Sequence, residues 1–208
     1  HDAINSPRAI CLAALRNGLD GIALTDHDTT AGWDEMRRTA GKLGLLFIPG
    51  MERTVIARGR TVGEVLCLFL DEPVRSQDPA GIISEVWHQG GLVVAAHPFD
   101  RRRPALGRCC ALPEFGSDIA LEILNSRSYG RKANRLATSY AGAHGLARVA
   151  GSDAHTPFEV GNACVEADAG TAEGLKREIL ERRVRVWGST SHPVFSLYSG
   201  MRKLDVHR

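Results

Sequence analysis

The sequence predicts an α/β fold, a parallel sheet with helices packed outside it, in one domain covering residues 1–208. Two observations carry this. Short apolar strands alternate with helix-length amphipathic segments, and parallel strands need such crossovers to connect them. Histidines and acidic residues also recur directly after the strands, at the edge where loops converge in barrels and in open parallel sheets alike. At 43% hydrophobic over 208 residues, the chain buries a substantial core, and no shift in composition marks a second domain.

Ser6-Pro7 reads as an N-cap with proline at the first helical position, Ile10, Cys11, Ala14 and Leu15 have helical spacing, and Gly18 stops the helix. A strand over Gly21 to Thr25 follows. Residues 31–42 read as a helix, and Leu45 to Ile48 as a strand that ends at Pro49-Gly50. Thr54 to Ala57 and Val62 to Leu70 flank a Gly59-Arg60 turn as a hairpin-like insertion, before a helix at 79–89. Strand signals return at Leu92 to Ala96, Ile119 to Leu124 and Ala147 to Ala150, with a helix at 130–144 and a long Gly/Arg/Pro-rich loop at 99–116. A last strand-helix-strand unit spans Ala163 to Trp187, and residues 188–208 form a weakly patterned C-terminal wrap. A barrel and a doubly wound sheet both satisfy this order.

A net charge of +2 is too mild to indicate nucleic-acid binding, although Arg101, Arg102 and Arg103 make a local basic run. The five cysteines lack the paired spacing of a zinc ribbon or a redox motif, which fits a reducing cytoplasm. No apolar run is long enough to span a membrane and no signal-like segment opens the chain, so a soluble, cytoplasmic protein is expected. A chain that opens on His1 and runs straight into a helix start is read as truncated or processed at its N-terminus.

Asp26-His27-Asp28 follows the first strand, Glu52 the second, His97 the strand at 92–96, and Asp153-Ala154-His155 the strand ending near Ala150. A lone histidine beside a strand is usually a core or surface residue, but recurrence at four strand ends favours ligation. Imidazole with carboxylate suits zinc, manganese or iron, and the number of such groups exceeds what one four-coordinate ion takes. Two or three divalent metal ions are therefore expected. Asp26 and Asp28 read as groups that orient His27 or cap the next helix. His88 and His144 sit near helix C-termini, where the helix dipole accounts for them. His192 and His207 fall in the unpatterned tail and read as structural.

Thr25-Asp26-His27-Asp28-Thr29, Pro49-Gly50-Met51-Glu52, Ala96-His97-Pro98-Phe99 and Gly151-Ser152-Asp153-Ala154-His155, in this order, resemble successive motifs of the PHP (polymerase and histidinol phosphatase) family. The likeness spans residue 2 to about residue 187. It implies a distorted seven-stranded β/α (TIM-like) barrel whose metal cluster hydrolyses phosphoesters. It also implies that Asp2, His27, Glu52, His97, Asp153 and His155 are metal ligands. The family's opening His-x-His pair is not in the chain, which begins too late to include it. Glu64 stands where some members place a further histidine and reads equally as a ligand or as an exposed strand residue. Asn125 and Arg127 resemble the family's Asn-x-Arg element, and Arg127 is the candidate catalytic residue, a guanidinium able to hold a substrate phosphate in a bidentate contact. A structural salt bridge is the competing reading of Arg127; Arg101 to Arg103, directly after the His97 motif, read as a solvated loop, with attraction of substrate charge as the alternative.

The expected reaction is in-line attack on phosphorus by a hydroxide whose formation follows from the lowered pKa of metal-bound water. No Gly-x-Ser-x-Gly elbow or catalytic cysteine setting suggests a covalent nucleophile. The expected substrate is a phosphorylated small molecule, such as histidinol phosphate, or a nucleotide. A short oligonucleotide is the alternative within the enzyme class, and a non-catalytic metal-binding or partner-binding barrel is the alternative outside it.

Overall fold

A computed structural model of the chain describes residues 6–107, 119–128 and 131–191. The elements run α1 (Pro7–Arg16), β1 (Gly21–Leu24), α2 (Trp33–Lys42), β2 (Leu46–Ala57), β3 (Arg60–Leu68), α3 (Pro79–His88), β4 (Leu92–Ala95), β5 (Ala120–Asn125), α4 (Arg131–His144), β6 (Ala147–Gly151), β7 (Ala163–Glu166), α5 (Ala172–Leu180) and β8 (Arg185–Gly188). Local chemistry sets several of these starts. Ser6, Asp78 and Thr171 each accept a backbone N–H of the first turn that no helical carbonyl can reach, and Pro7 and Pro79 occupy the position that needs no N–H.

Six strands form one sheet in the order β1 to β6, a curled half-barrel, and β7 pairs with β8 beside β6. The fold is mixed α/β, as expected; where a seven-stranded barrel is expected, the described residues form this six-stranded, half-barrel sheet. One part of the expectation is corrected. The hairpin after β2 is no insertion: β3 is a full member of the sheet, antiparallel to both β2 and β4, while the β1–β2, β4–β5 and β5–β6 pairs are parallel. The reversal is made by a two-residue turn, Arg58-Gly59, with φ of 52° and 71°, the conformation that matches the right-handed twist of the two strands. The strand expected to stop at Pro49-Gly50 instead runs on to Ala57. Pro49 stands opposite Leu24, the last residue of β1, and a Cβ at Gly50 would come within 2.8 Å of the Cys67 carbonyl, so glycine permits the close strand approach.

Register separates the sheet's faces. Met51, Val65, Cys67, Val93, Ala95, Leu121 and Ile123 lie on one face, against Ile82 and Val86 of α3 and Ala137 and Ala141 of α4. Ile48, Leu66, Leu68, Val94, Ala120 and Val149 share the other with Ile179 of α5. Both faces of the central strands are buried, as strands under crossover helices must be. The second face also carries three acidic residues, Glu52, Glu64 and Glu122, in step with its apolar residues. No helix among the described residues is long and apolar enough to cross a membrane.

Candidate metal centre

Extended pairing continues past the end of β1. Glu52 N–H donates to Asp26 O (3.1 Å), Asp28 N–H donates to Glu52 O (2.9 Å), and His27 forms a parallel bridge with Glu52. That pairing places the imidazole beside the carboxylate, with His27 Nε2 3.5 Å from Glu52 Oε2. Because β3 runs the opposite way, its first half lies at the edge where the parallel strands end. Glu64 therefore joins the same group, with Oε1 3.9 Å from His27 Nδ1. His97, just past β4 and almost fully buried, directs Nε2 at both carboxylates, 3.0 Å from Glu52 Oε1 and 3.4 Å from Glu64 Oε2.

The donor set fits a divalent ion. Ligand atoms of His27, Glu52 and Glu64 lie within 4.8 Å of one another, and the two carboxylates are mostly buried. Like charges this close oppose ionisation: burial first, then the Glu52 charge, raises the Glu64 pKa, against the pull of His97, His27 and Arg103. Burial opposes protonation of His97, yet the hydrogen bond to Glu52 with the charges of Glu122 and Glu52 outweighs it, and the imidazole pKa lies above its ordinary value. A cluster that draws protons in this way offers negative charge and nitrogen to a borderline cation.

Asp153 and His155 collect beside this group around Arg103. Asp153 Oδ2 accepts from the Arg103 guanidinium and from Asn125 Nδ2 at 3.2 Å, and His155 Nδ1 lies 3.5 Å from Asp153 Oδ1. Burial alone would raise the Asp153 pKa, but Arg103 and then His155 hold the carboxyl below its usual value. His97 and Asp153 both have positive φ, 29° and 49°, a conformation uncommon for side chains of their kind and frequent at functional sites.

Residues 131–184, from α4 to just before β8, match the family described as PHP-associated. An uncharacterised protein of Methanocaldococcus jannaschii is 33% identical over 107 residues, which is 51% of this chain and 60% of that protein. A two-domain protein from Bacteroides vulgatus, containing a predicted PHP-like metal-dependent phosphoesterase, superposes with a TM-score of 0.73 at 22% identity, over 90% of this chain and 61% of that one. The chain shares its fold with this PHP-like protein, and its residues 131–184 match the PHP-associated family. The lesion-specific endonuclease PfuEndoQ of Pyrococcus furiosus has the same fold, with a TM-score of 0.62 at 16% identity over 89% of this chain and 55% of that one. The chain spans about 60% of the length of the first relatives it matches.

Within this fold, His27, Glu52 and His97 come together with Glu64, and Asp153 and His155 lie next to them. Asp2 falls outside the described residues, as do His1, His192 and His207. Arg127, expected at a substrate phosphate, has a nearly buried side chain whose Nη1 lies 3.6 Å from Glu159 Oε1. The Arg103 guanidinium is within hydrogen-bond reach of an expected ligand, Asp153, and is tied as well to Asn125 and Asp100. Glu122 and Glu159 were not singled out in the sequence. Glu159 is fully buried and its Oε2 accepts from His155 N, Thr156 N and Thr156 Oγ1, all at 3.1 Å, which fixes the turn that carries His155. A signal for Glu122 does exist in the sequence: it is an acidic residue inside an otherwise apolar strand, where a charge must have a function or a partner.

Proposed function

We propose that the chain hydrolyses phosphoesters using two or three divalent ions, zinc, manganese or iron. The observation that carries this reading is the convergence of His27 and His97, just past β1 and β4, with Glu52 and Glu64, inside β2 and β3. His27, Glu52, Glu64 and His97 would hold one ion, and Asp153, His155 and Asp2 would serve the others. When bound, divalent ions supply charge for the phosphoryl oxygens and lower the pKa of water.

The chain's own residues do the rest. Arg103 presents its planar guanidinium beside Asp153 and is assigned the substrate phosphate, ahead of Arg127, whose guanidinium is engaged by Glu159. Nearly buried His97 excludes solvent from one side of the cluster, while half-exposed His27 leaves an approach open on the other. The favoured substrate is a phosphorylated small molecule or nucleotide. Oligonucleotide cleavage is the second reading, favoured by the fold shared with a lesion endonuclease and by the Arg101 to Arg103 run. The free thiols of Cys11, Cys67 and Cys164 suit a reducing cytoplasm.

The deciding experiment measures metal content and manganese-stimulated hydrolysis of a mononucleotide, a short oligonucleotide and histidinol phosphate. Two or three ions per chain with turnover support the proposal, and the preferred substrate separates its branches. Metal without turnover on any phosphoester favours a metal-binding barrel with no catalytic role. Neither metal nor turnover removes the proposal.

A further inference from the structure

Glu122 is a carboxylate with no obvious reason to be where it is. It lies on β5, between the strands that lead to His97 and Asp153, with only 3% of its surface exposed. It is not among the grouped ligand atoms of His27, Glu52 and Glu64. Its Oε2 instead accepts the backbone N–H of His97 at 2.7 Å and the side-chain amide of Asn125 at 3.0 Å. Oε1 sits over Gly151, where an added Cβ would come within 2.7 Å of it, so the strand alongside leaves room for this carboxylate.

These contacts meet the two expected ligands that have positive φ, His97 and Asp153. Ladder pairing has ended at His97: the preceding N–H, of Ala96, still donates to Glu64 O at 3.2 Å, and the next turns to the Glu122 side chain. That bond satisfies a buried donor and holds the left-handed backbone that aims Nε2 at Glu52 and Glu64. The Asn125 amide that reaches Glu122 also reaches Asp153 Oδ2 at 3.2 Å, and Asp153, like His97, is an expected ligand with positive φ. One carboxylate and one amide thus span the gap between the ends of β4 and β6.

We propose that Glu122, with Asn125, is a positioning residue that sets the placement of His97 relative to Asp153, and through it the metal affinity of the site, without touching ion or substrate. The inference rests on the proposed reading of His97 and Asp153 as ligands. It assigns to the carboxylate a reach, from β5 to one backbone N–H, and no direct charge on the ion.

Mn(II) binding to the full chain, titrated by calorimetry, tests this with variants that separate reach from charge. Glu122→Asp keeps the charge but falls one methylene short of the His97 N–H. Glu122→Gln keeps the reach and loses the charge. A positioning role predicts that Glu122→Asp and Glu122→Ala weaken Mn(II) binding about 10- to 100-fold, the scale typical of lost outer contacts to metal ligands, and that Glu122→Gln restores most of it. Val86→Ala, a core truncation in α3, supplies a comparison that lowers the melting temperature without weakening Mn(II) binding. The inference is overturned if Asp binds as the wild type does while Gln does not, if all Glu122 variants bind equally, or if Val86→Ala loses as much affinity as Glu122→Ala. A wild type that binds no Mn(II) overturns the metal reading itself.

Discussion

Arg103 and Asp153 form an ion pair across 50 residues of sequence, joining the loop after β4 to the end of β6. The pair sets a cation of the chain itself against a carboxylate assigned to metal. If Asp153 ligates an ion as proposed, the ion would compete for its oxygens and leave the guanidinium available to an anionic ligand. Arg103→Ala is expected to weaken competitive inhibition by inorganic phosphate roughly 10-fold or more, since a charge-assisted hydrogen bond contributes about 1.5–3 kcal/mol. Arg103→Lys should recover only part of this, because an ammonium lacks the planar fork. Phosphate inhibition unchanged in both variants would return Arg103 to a structural role.

Glu122 makes a pH prediction for the metal-free protein. Burial pushes its pKa from an ordinary 4.5 to about 7. A carboxyl whose folded pKa is raised contributes stability that is complete at low pH and is lost as pH rises through the folded value. Glu122→Gln cannot ionise and escapes that loss. The melting temperature of Glu122→Gln relative to wild type should therefore rise between about pH 4.5 and pH 7, then level off. A difference that is flat across this window would show that Glu122 is not held protonated.

The fold and most of the candidate ligands were legible because parallel strands deliver their C-terminal ends to one edge. Ile48, Val94 and Val149 announced strands, and His27, Glu52, His97 and Asp153 stood just beyond such strands or near their ends. Glu64 is less legible for a topological reason: β3 runs backwards, so its contribution comes from the middle of the strand instead of following its end. Arg103 was read as a solvated loop residue because nothing local specifies where the loop 100–107 folds. Glu122 shows in the sequence as an acidic residue in an apolar strand, but its partner does not, because a strand sequence does not say which neighbouring peptide has lost its ladder bond.

Replacing His97 or Asp153 by alanine separates the two halves of the site. His97→Ala removes the imidazole that faces both Glu52 and Glu64, while Asp153→Ala removes the partner of Arg103 and leaves the Glu52/Glu64 pair intact. Metal-dependent turnover should be abolished in each. Metal analysis should show fewer ions per chain in both variants. Undiminished turnover in a metal-loaded variant would refute the corresponding assignment.

The path of the Arg103 loop is fixed by Gly63. A Cβ there would lie 2.5 Å from the backbone nitrogen of Leu106, a core residue with 2% exposure. Gly63→Ala should force the loop away and destabilise the protein by about 1–3 kcal/mol, the usual scale of overpacking. Because the same loop carries Arg103, phosphate inhibition should weaken along with stability. Leu106→Ala, which leaves a cavity instead of a clash, should cost about 2–5 kcal/mol. A Gly63→Ala protein with wild-type melting and wild-type phosphate inhibition would show that the loop has another route.

The role of Arg127 can be decided by comparing two deletions around Glu159. Glu159 gives Oε2 to three donors on residues 155 and 156, and Oε1 faces Arg127 Nη1 at 3.6 Å. Glu159→Ala removes the acceptor of those three donors and the partner charge of a nearly buried guanidinium, which by the usual penalty for breaking buried pairs costs about 3–5 kcal/mol. Arg127→Met leaves the three hydrogen bonds to Oε2 in place and should cost less, and the double variant should be more stable than the sum of the two single losses predicts. Denaturant unfolding of the metal-free proteins reads all three values. If Arg127 instead serves a substrate phosphate, Arg127→Met will unfold as the wild type does while phosphate inhibition weakens, and the two single losses will simply add.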